Sequence, residues 1–159
     1  MKPGSVELLE RIAETLDQTV LPALADDKWA ASAVRSATTL LHHLAKRIEL
    51  EAPILLADNS DAKNVLAGIV IHFRADMDAE IAGEIDGLIG DAAPIADYDV
   101  TALDARNRRY QAAMARLLDR GAVSSDRGSE IRGELRAYFK RRSERERDMY
   151  FPSFTGPPF

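Results

Sequence analysis

The chain has 159 residues, of which 46% are hydrophobic and 30% are charged, and this composition is typical of a folded globular domain rather than a disordered chain. It contains no cysteine, which excludes disulfides and thiol chemistry and favours a reducing compartment. Neither a signal-like apolar segment nor an apolar run of about 18 residues occurs in the sequence, so secretion and membrane spanning are disfavoured. We therefore expect a cytoplasmic protein.

The net charge of −5 is unevenly distributed along the chain. Residues 1–100 carry 18 acidic and 8 basic side chains, whereas residues 101–159 carry 8 acidic and 13 basic ones. We expect the basic last third to lie against the acidic remainder through exposed ion pairs. The alternative is a face that binds phosphate or nucleic acid, and the overall acidity counts against nucleic acid.

Two amphipathic helices are predicted first, from Ser5 to Ala25 and from Lys28 to Leu50. Pro22 predicts a kink or an early end of the first helix, because proline lacks the backbone donor that a helix interior needs. Asp26 or Asp27 is the expected N-cap of the second helix. The apolar positions that we expect to be buried are Leu9, Ile12, Ala13, Leu16, Val20 and Leu24 in the first helix, and Ala30, Ala33, Val34, Ala37, Leu40, Leu41, Leu44 and Ile48 in the second.

A central helix is predicted from Ser60 to Gly90, after an interruption at Pro53 and a turn at residues 59–61. Its apolar stripe has steps of three and four residues and consists of Leu66, Ile69, Val70, Phe73, Met77 and Ile81. Gly83, Gly87 and Gly90 predict either a close approach of another helix or fraying before the end.

Two further helices are predicted after a loop at residues 91–97, at residues 101–121 and at residues 126–148. Their inward positions are Leu103, Tyr110, Met114 and Leu117 in the fourth helix, and Ile131, Leu135, Tyr138 and Phe139 in the fifth. The predicted fold class is therefore all-α, with residues 1–149 forming an antiparallel four- or five-helix bundle.

The last ten residues, 150–159, differ from the rest of the chain because they combine three prolines with four aromatic side chains. The prolines exclude a helix, so an extended tail is predicted. Such an apolar segment should pack on its own bundle or on a neighbouring molecule. The candidate interface residues are Tyr150, Phe151, Phe154 and Phe159.

Candidate ligand-binding residues lie on the predicted central and fourth helices. Asp76, Glu80 and Glu84 are spaced by four residues, so they either pair with arginines of the later helices or hold a cation. Asn107 lies at the inward edge of its helix and needs a hydrogen-bond partner. The site residues selected are Glu80, Arg106, Asn107 and Tyr110.

Catalytic and metal-binding motifs are missing from the sequence. The three histidines, His42, His43 and His72, fall outside the apolar stripes and lack the spacings by which helical bundles hold metals. No nucleophile motif and no glycine-rich phosphate loop occurs either. We therefore predict no catalytic residue, no metal and no cofactor.

The segment Pro3-Gly4-Ser5-Val6-Glu7-Leu8-Leu9-Glu10, followed by Leu21-Pro22-Ala23-Leu24 and an alanine-rich second helix, resembles a family of small uncharacterised helical bacterial proteins. Members of that family are typically encoded beside aminoglycoside-phosphotransferase-like kinases and acyl-CoA dehydrogenases. The resemblance covers roughly the first third of the chain. It implies a non-catalytic accessory bundle that acts with an enzyme.

The leading functional hypothesis is an accessory or interaction protein that forms a homo-oligomer, such as a dimer, or docks on a partner enzyme. The alternative is a ligand- or metal-binding bundle, which includes an enzyme, that uses carboxylates and arginines between its helices. A nucleic-acid-associated protein that uses the arginine-rich final helix is a third and less favoured hypothesis.

Overall fold

The computed structural model describes residues 3–91, 99–121 and 126–150. These residues form five helices and no strand, which confirms the predicted all-α class. The helices and the turns attached to them are, in chain order, α1 Ser5–Thr15 with a π-helical turn Leu16–Val20 and a last turn Leu21–Ala23, α2 Lys28–Phe73, a 3-10 turn Arg74–Asp76, α3 Ala79–Gly90, α4 Val100–Arg116 with a π-helical turn Leu117–Gly121, and α5 Asp126–Tyr150.

Helix α2 is much longer than predicted, because it continues through Pro53 for 46 residues instead of ending at Leu50. It begins as expected after Asp27, whose carboxylate accepts hydrogen bonds from the backbone N–H groups of Trp29 and Ala30 at 3.1 and 3.0 Å. The predicted turn at residues 59–61 is wrong. Proline removes only one backbone donor, and the polar side chains after it bond to other helices instead of capping a new one.

The predicted central helix from Ser60 to Gly90 is also wrong, since the helical path breaks between Phe73 and Ala79. The Asp78 carboxylate accepts hydrogen bonds from the backbone N–H groups of Glu80 and Ile81 at 2.8 and 3.4 Å. These bonds satisfy orphan donors at the start of α3, as an N-cap does. The stripe nevertheless packs as predicted, because Met77 and Ile81 still reach the core that holds Phe73.

The chain divides into two compact units, which are residues 1–51 with 146–159 (unit 1) and residues 52–145 (unit 2). Unit 2 has one apolar core to which α2, α3, α4 and α5 all contribute. Its buried members are Ala62, Leu66, Ile69, Val70, Phe73, Ile81, Ile85, Leu88, Tyr110, Ala113, Met114, Leu117, Ile131, Leu135 and Tyr138. Of the four residues predicted to face inward on α5, Phe139 is the exception and lies at the surface, 37% exposed.

Unit 1 contains α1 and the first half of α2, and its buried residues are small. Those in its described part are Ala13, Ala31, Thr38 and Ala45. The predicted inward face of the second helix is wrong in its largest members, because Leu40, Leu44 and Ile48 are 62%, 49% and 54% exposed. Ile12 of α1 is likewise 50% exposed. The physical reason is that α2 has two apolar stripes, and the stripe of small side chains is the buried one.

The glycines of α3 do not mark a close helix contact. A Cβ atom added at Gly83, Gly87 or Gly90 would meet no atom within 4 Å. The helix also continues to Gly90 instead of fraying before it. These glycines lie on the exposed side of α3, so they lower its helix propensity without serving its packing.

Candidate functional site

A buried carboxylate, that of Asp58 on α2, lies at the centre of a polar cluster in unit 2. Its side chain is 4% exposed. It accepts hydrogen bonds from Asn107 Nδ2 on α4 at 2.7 Å, and from Tyr138 Oη and Arg145 Nη2 on α5 at 2.9 and 2.6 Å. One side chain therefore joins three helices at a single point.

Asn107 is the second centre of this cluster and has the partners that its inward position requires. Its Nδ2 atom also donates to Asn59 Oδ1 at 3.0 Å, and its Oδ1 atom accepts a hydrogen bond from Gln111. Asn59 Nδ2 donates to the carbonyl oxygen of Leu103 at 3.0 Å. These bonds fix α4 against α2 at a depth where water does not compete.

Asp61, one turn after Asp58, is contacted by two arginines of α5, Arg141 and Arg145. Arg141 donates to it from Nε at 3.0 Å and from Nη2 at 2.8 Å, a bidentate geometry. Arg145 Nη2 bridges the two carboxylates, since it also lies 2.8 Å from Asp61 Oδ2. Arg142 completes the cluster as an ion pair, with Nε 3.9 Å from Asp58 Oδ2.

The spacing of the inward positions on α5 explains how Arg142 and Arg145 reach the cluster. Its residues recur at steps of four and three, and the apolar part of that face consists of Ile131, Leu135 and Tyr138. The next two positions in the same pattern are Arg142 and Arg145, whose side chains are 25% and 23% exposed. Arg142 and Arg145 are not among the predicted inward positions, although continuing the pattern from the sequence would have placed both inward.

The pKa values of two groups in the cluster, Asp61 and Tyr138, are shifted away from neutral pH. Hydrogen bonds from Arg141 are the main cause that holds the pKa of Asp61 below its ordinary value of 3.8. Burial, followed by the charge of Asp58, raises the pKa of the Tyr138 phenol far above its ordinary value. At neutral pH Asp61 is therefore ionised and Tyr138 is a fixed donor, so neither group is poised to exchange protons.

Ion pairs between the basic last third and the acidic part of the chain occur as predicted. Besides the Asp58 cluster, Arg116 Nη1 of α4 lies 2.5 Å from Glu84 Oε2, and Arg109 Nη1 lies 2.8 Å from Asp91 Oδ2. Glu84 thus finds the arginine that was expected for the carboxylate series. Asp76 falls in the 3-10 turn before α3, so the three acids do not share one helix.

An open cavity of about 400 Å³ lies beside the cluster, between α2 and α5. We call it the α2–α5 groove. Its apolar lining comes from α2 alone, while α5 contributes Glu134 and Arg141. The complete lining is Asp61, Asn64, Val65, Gly68, Ile69, His72, Phe73, Glu134 and Arg141.

The first half of α2 presents an exposed row of apolar side chains in unit 1, which we call the apolar stripe. Its members recur at steps of four, four, three, four and four residues and are Trp29, Ala33, Ala37, Leu40, Leu44 and Ile48. All six are exposed, and Trp29 is 89% exposed. The row is about 28 Å long at 1.5 Å per residue.

The four ligand-binding residues predicted from the sequence lie in different environments. Asn107 belongs to the Asp58 cluster, and Tyr110 is a core residue that is 3% exposed. Arg106 is half-buried on α4. Glu80 is exposed in the first turn of α3, and within the described part of the chain its carboxylate makes no hydrogen bond or ion pair. The α2–α5 groove is lined by other residues.

The predicted interface residues lie at the edge of what the structure describes. Tyr150 is the last residue of α5, so the helix extends two residues beyond the predicted end. Phe151, Phe154 and Phe159 lie outside the described residues. The histidines His42 and His72 are exposed, and no three potential metal ligands gather anywhere among the described residues.

Comparisons with models of known protein families, with curated proteins and with solved structures gave no match to this chain. Among the described helices, none is both long enough and apolar enough to cross a membrane.

Proposed function

We propose that this protein is a non-catalytic accessory protein of the cytoplasm, built as an antiparallel helical bundle, that acts as a homodimer through its apolar stripe. The observation that carries the proposal is the inverted burial in unit 1. Its described buried residues are three alanines and a threonine, whereas Trp29, Leu40, Leu44 and Ile48 face solvent. A folded domain rarely leaves such a continuous apolar row uncovered unless a partner covers it.

Covering the stripe supplies enough free energy for association. Complete burial of one Leu or Ile side chain contributes about 1.5–3 kcal/mol relative to full exposure. Leu40, Leu44 and Ile48 are about half exposed, so these side chains from both copies together supply several kcal/mol when they are covered. This gain must exceed the entropy lost on association, which makes a weak to moderate dimer the expected outcome.

A second copy of the chain fits the aliphatic end of the stripe, because Leu40 and Ile48 lie four residues before and four residues after Leu44. In an antiparallel pairing Leu44 faces its counterpart, and Leu40 faces Ile48 of the partner. The charged residues in the last two turns beside the stripe are Lys46, Arg47, Glu49 and Glu51. Their charges sum to zero, so two copies meet without net repulsion.

The Asp58 cluster supports a non-catalytic role, because its carboxylates are bonded to arginines, an amide and a phenol. Three arginines of the basic last helix, Arg141, Arg142 and Arg145, are paired there with acids. This pairing makes a nucleic-acid role less favourable, since these side chains do not stand free for phosphate. The resemblance of residues 3–24 to helical bacterial proteins agrees with an accessory role, and an enzyme encoded nearby is the partner on which we propose that the dimer acts.

The test is the molar mass of the full chain by light scattering coupled to size-exclusion chromatography, over a range of concentrations. Leu44→Glu places a charge in the middle of the stripe and should give a monomer. Ile71→Glu is the matched control, since Ile71 is a 76% exposed apolar residue of the same helix that lies outside the stripe. We expect the wild-type chain and Ile71→Glu to form dimers.

Two outcomes contradict the proposal. A wild-type chain that remains monomeric at every concentration shows that no second copy covers the stripe. Removal of residues 151–159 identifies one cause of such a result: if the shortened chain dimerises while the full chain does not, the aromatic tail occupies the stripe instead. A dimer that persists in Leu44→Glu places the interface elsewhere.

A further inference from the structure

We propose that the α2–α5 groove binds a small ligand with an apolar body and a protonated amine, such as an aromatic or aliphatic primary amine. This site is separate from the apolar stripe and does not depend on dimerisation. The groove lies wholly within unit 2 and combines an apolar floor with one acidic side chain, Glu134, that has no ion-pair partner among the described residues. Each of these features points to one part of the ligand.

The floor of the groove is formed by one face of α2. Val65, Ile69 and Phe73 follow each other at steps of four residues, and Ile69 and Phe73 are 1% and 7% exposed. Gly68 lies among them, and a Cβ atom added there would meet nothing within 4 Å. The missing side chain at Gly68 therefore leaves room directly above apolar atoms, which suits an aromatic ring or an alkyl chain.

The charge of the groove is set by Glu134. Arg141 is bound to Asp61 by two hydrogen bonds, so these two lining charges cancel each other. Glu134 makes no ion pair or hydrogen bond within the described part of the chain, and its field reaches the groove, where it acts on Arg141. The lining charge without a partner among the described residues is therefore the Glu134 carboxylate, which lies about 10 Å along α5 from the arginines of the Asp58 cluster and favours a cationic group over an anionic one at its end of the groove.

The Glu134 carboxylate and the apolar floor lie close enough together for one small molecule to contact both. Glu134 is seven residues from Arg141, or about 10 Å along α5 at 1.5 Å per residue. Because Arg141 is held at Asp61, Glu134 lies further along the groove towards His72, beside the floor made by Gly68 and Ile69. A volume of about 400 Å³ accommodates a single-ring amine and falls in the usual range of ligand pockets.

The probe is 2-phenylethylamine, followed by amide chemical shifts in two-dimensional NMR, with 2-phenylethanol as its uncharged analogue. We expect the amine to shift the signals of Gly68 and His72 with a dissociation constant in roughly the millimolar range, which is usual for a ligand of this size. Gly68→Leu fills the groove and should abolish these shifts. Glu134→Gln should weaken binding of the amine by about two- to fivefold, as expected for a solvent-exposed charge pair, and leave binding of the alcohol unchanged.

Matched controls are available on α5. Gly133→Ala and Glu130→Gln change a glycine and an acid that do not line the groove, so both variants should bind the amine as the wild type does. A dispersed spectrum of Gly68→Leu shows that the loss of binding is not a loss of fold. The proposal is overturned if the wild-type signals of the groove do not move, if Gly68→Leu retains the shifts, or if Glu134→Gln binds both probes like the wild type.

Discussion

Asp58 is the side chain whose replacement should disturb the fold most. It is buried on α2, and three donors from α4 and α5 converge on its carboxylate. Removing one partner from a buried charged cluster is costly, because the other members keep their desolvation penalty without their compensation. Arg145 is the most sensitive of these partners, since its Nε atom is already buried without a hydrogen bond to any described residue.

Asp58→Asn should lower the free energy of unfolding by about 3–5 kcal/mol, the usual cost of breaking a buried charge pair. The measurement is a urea titration followed by circular dichroism. Asp104→Asn serves as the control, because Asp104 forms an exposed ion pair with Arg108 at 2.7 Å and should cost less than about 1 kcal/mol. Equal effects of the two substitutions would show that the Asp58 cluster does not hold the helices together.

The lowered pKa of Asp61 predicts a definite pH dependence. A carboxyl group whose folded-state pKa lies below its unfolded value stabilises the fold fully above the unfolded value, which is 3.8 here, and this contribution is lost as the pH falls through the folded-state pKa. Asp61→Asn should therefore be less stable than the wild type at about pH 7, and the difference should shrink towards about pH 3. Unfolding titrations of both proteins across this range measure it, and a difference that is constant with pH would contradict it.

The sequence missed Asp58 because of the residues that follow it. Asn59, Ser60 and Asp61 are residue types that favour turns and helix N-caps, so residues 59–61 are predicted as a turn and Asp58 is not among the predicted site residues. In the structure Asn59 bonds to α4 and Asp61 bonds to α5, while Asp58 bonds to both. Such tertiary partners are invisible in local sequence, whereas the need of Asn107 for a partner followed from its inward position alone.

At the scale of helices, α4 was the easiest element to predict and α2 the hardest. The apolar residues of α4 form a single stripe, so Leu103, Tyr110, Met114 and Leu117 could face only one way and are all buried. The first half of α2 has two apolar stripes. Periodicity shows that both exist but cannot tell which faces inward, and the larger side chains were wrongly preferred.

The exposed glycines of α3 give a prediction at this scale. Gly83→Ala should raise the free energy of unfolding by about 0.5–1 kcal/mol, because alanine loses less backbone entropy in a helix and nothing lies within 4 Å of the added Cβ atom. Asp78→Ala is the opposite change in the same helix and should cost about 1 kcal/mol through loss of the N-cap. Thermal unfolding of both variants tests this, and a destabilised Gly83→Ala would mean that another group approaches α3 closely.

The whole molecule combines two units with different interiors. Unit 2 has a core of large apolar side chains drawn from four helices, together with the Asp58 cluster. In the described part of unit 1 the buried residues are small, and the large apolar side chains lie on the surface. We therefore expect packing to stabilise unit 2 more than unit 1, and in our proposal the exposed apolar surface of unit 1 is the one that a second copy covers.

The most direct test of this account is the proximity of two copies of Leu44. The chain has no cysteine, so Leu44→Cys and Ile71→Cys are single-cysteine proteins that can be oxidised under identical conditions. Antiparallel pairing centred on Leu44 places the two Leu44 positions opposite each other, and Leu44→Cys should form a covalent dimer much faster than Ile71→Cys. Equal or slower cross-linking of Leu44→Cys would contradict the claim that the stripe is covered by a second copy.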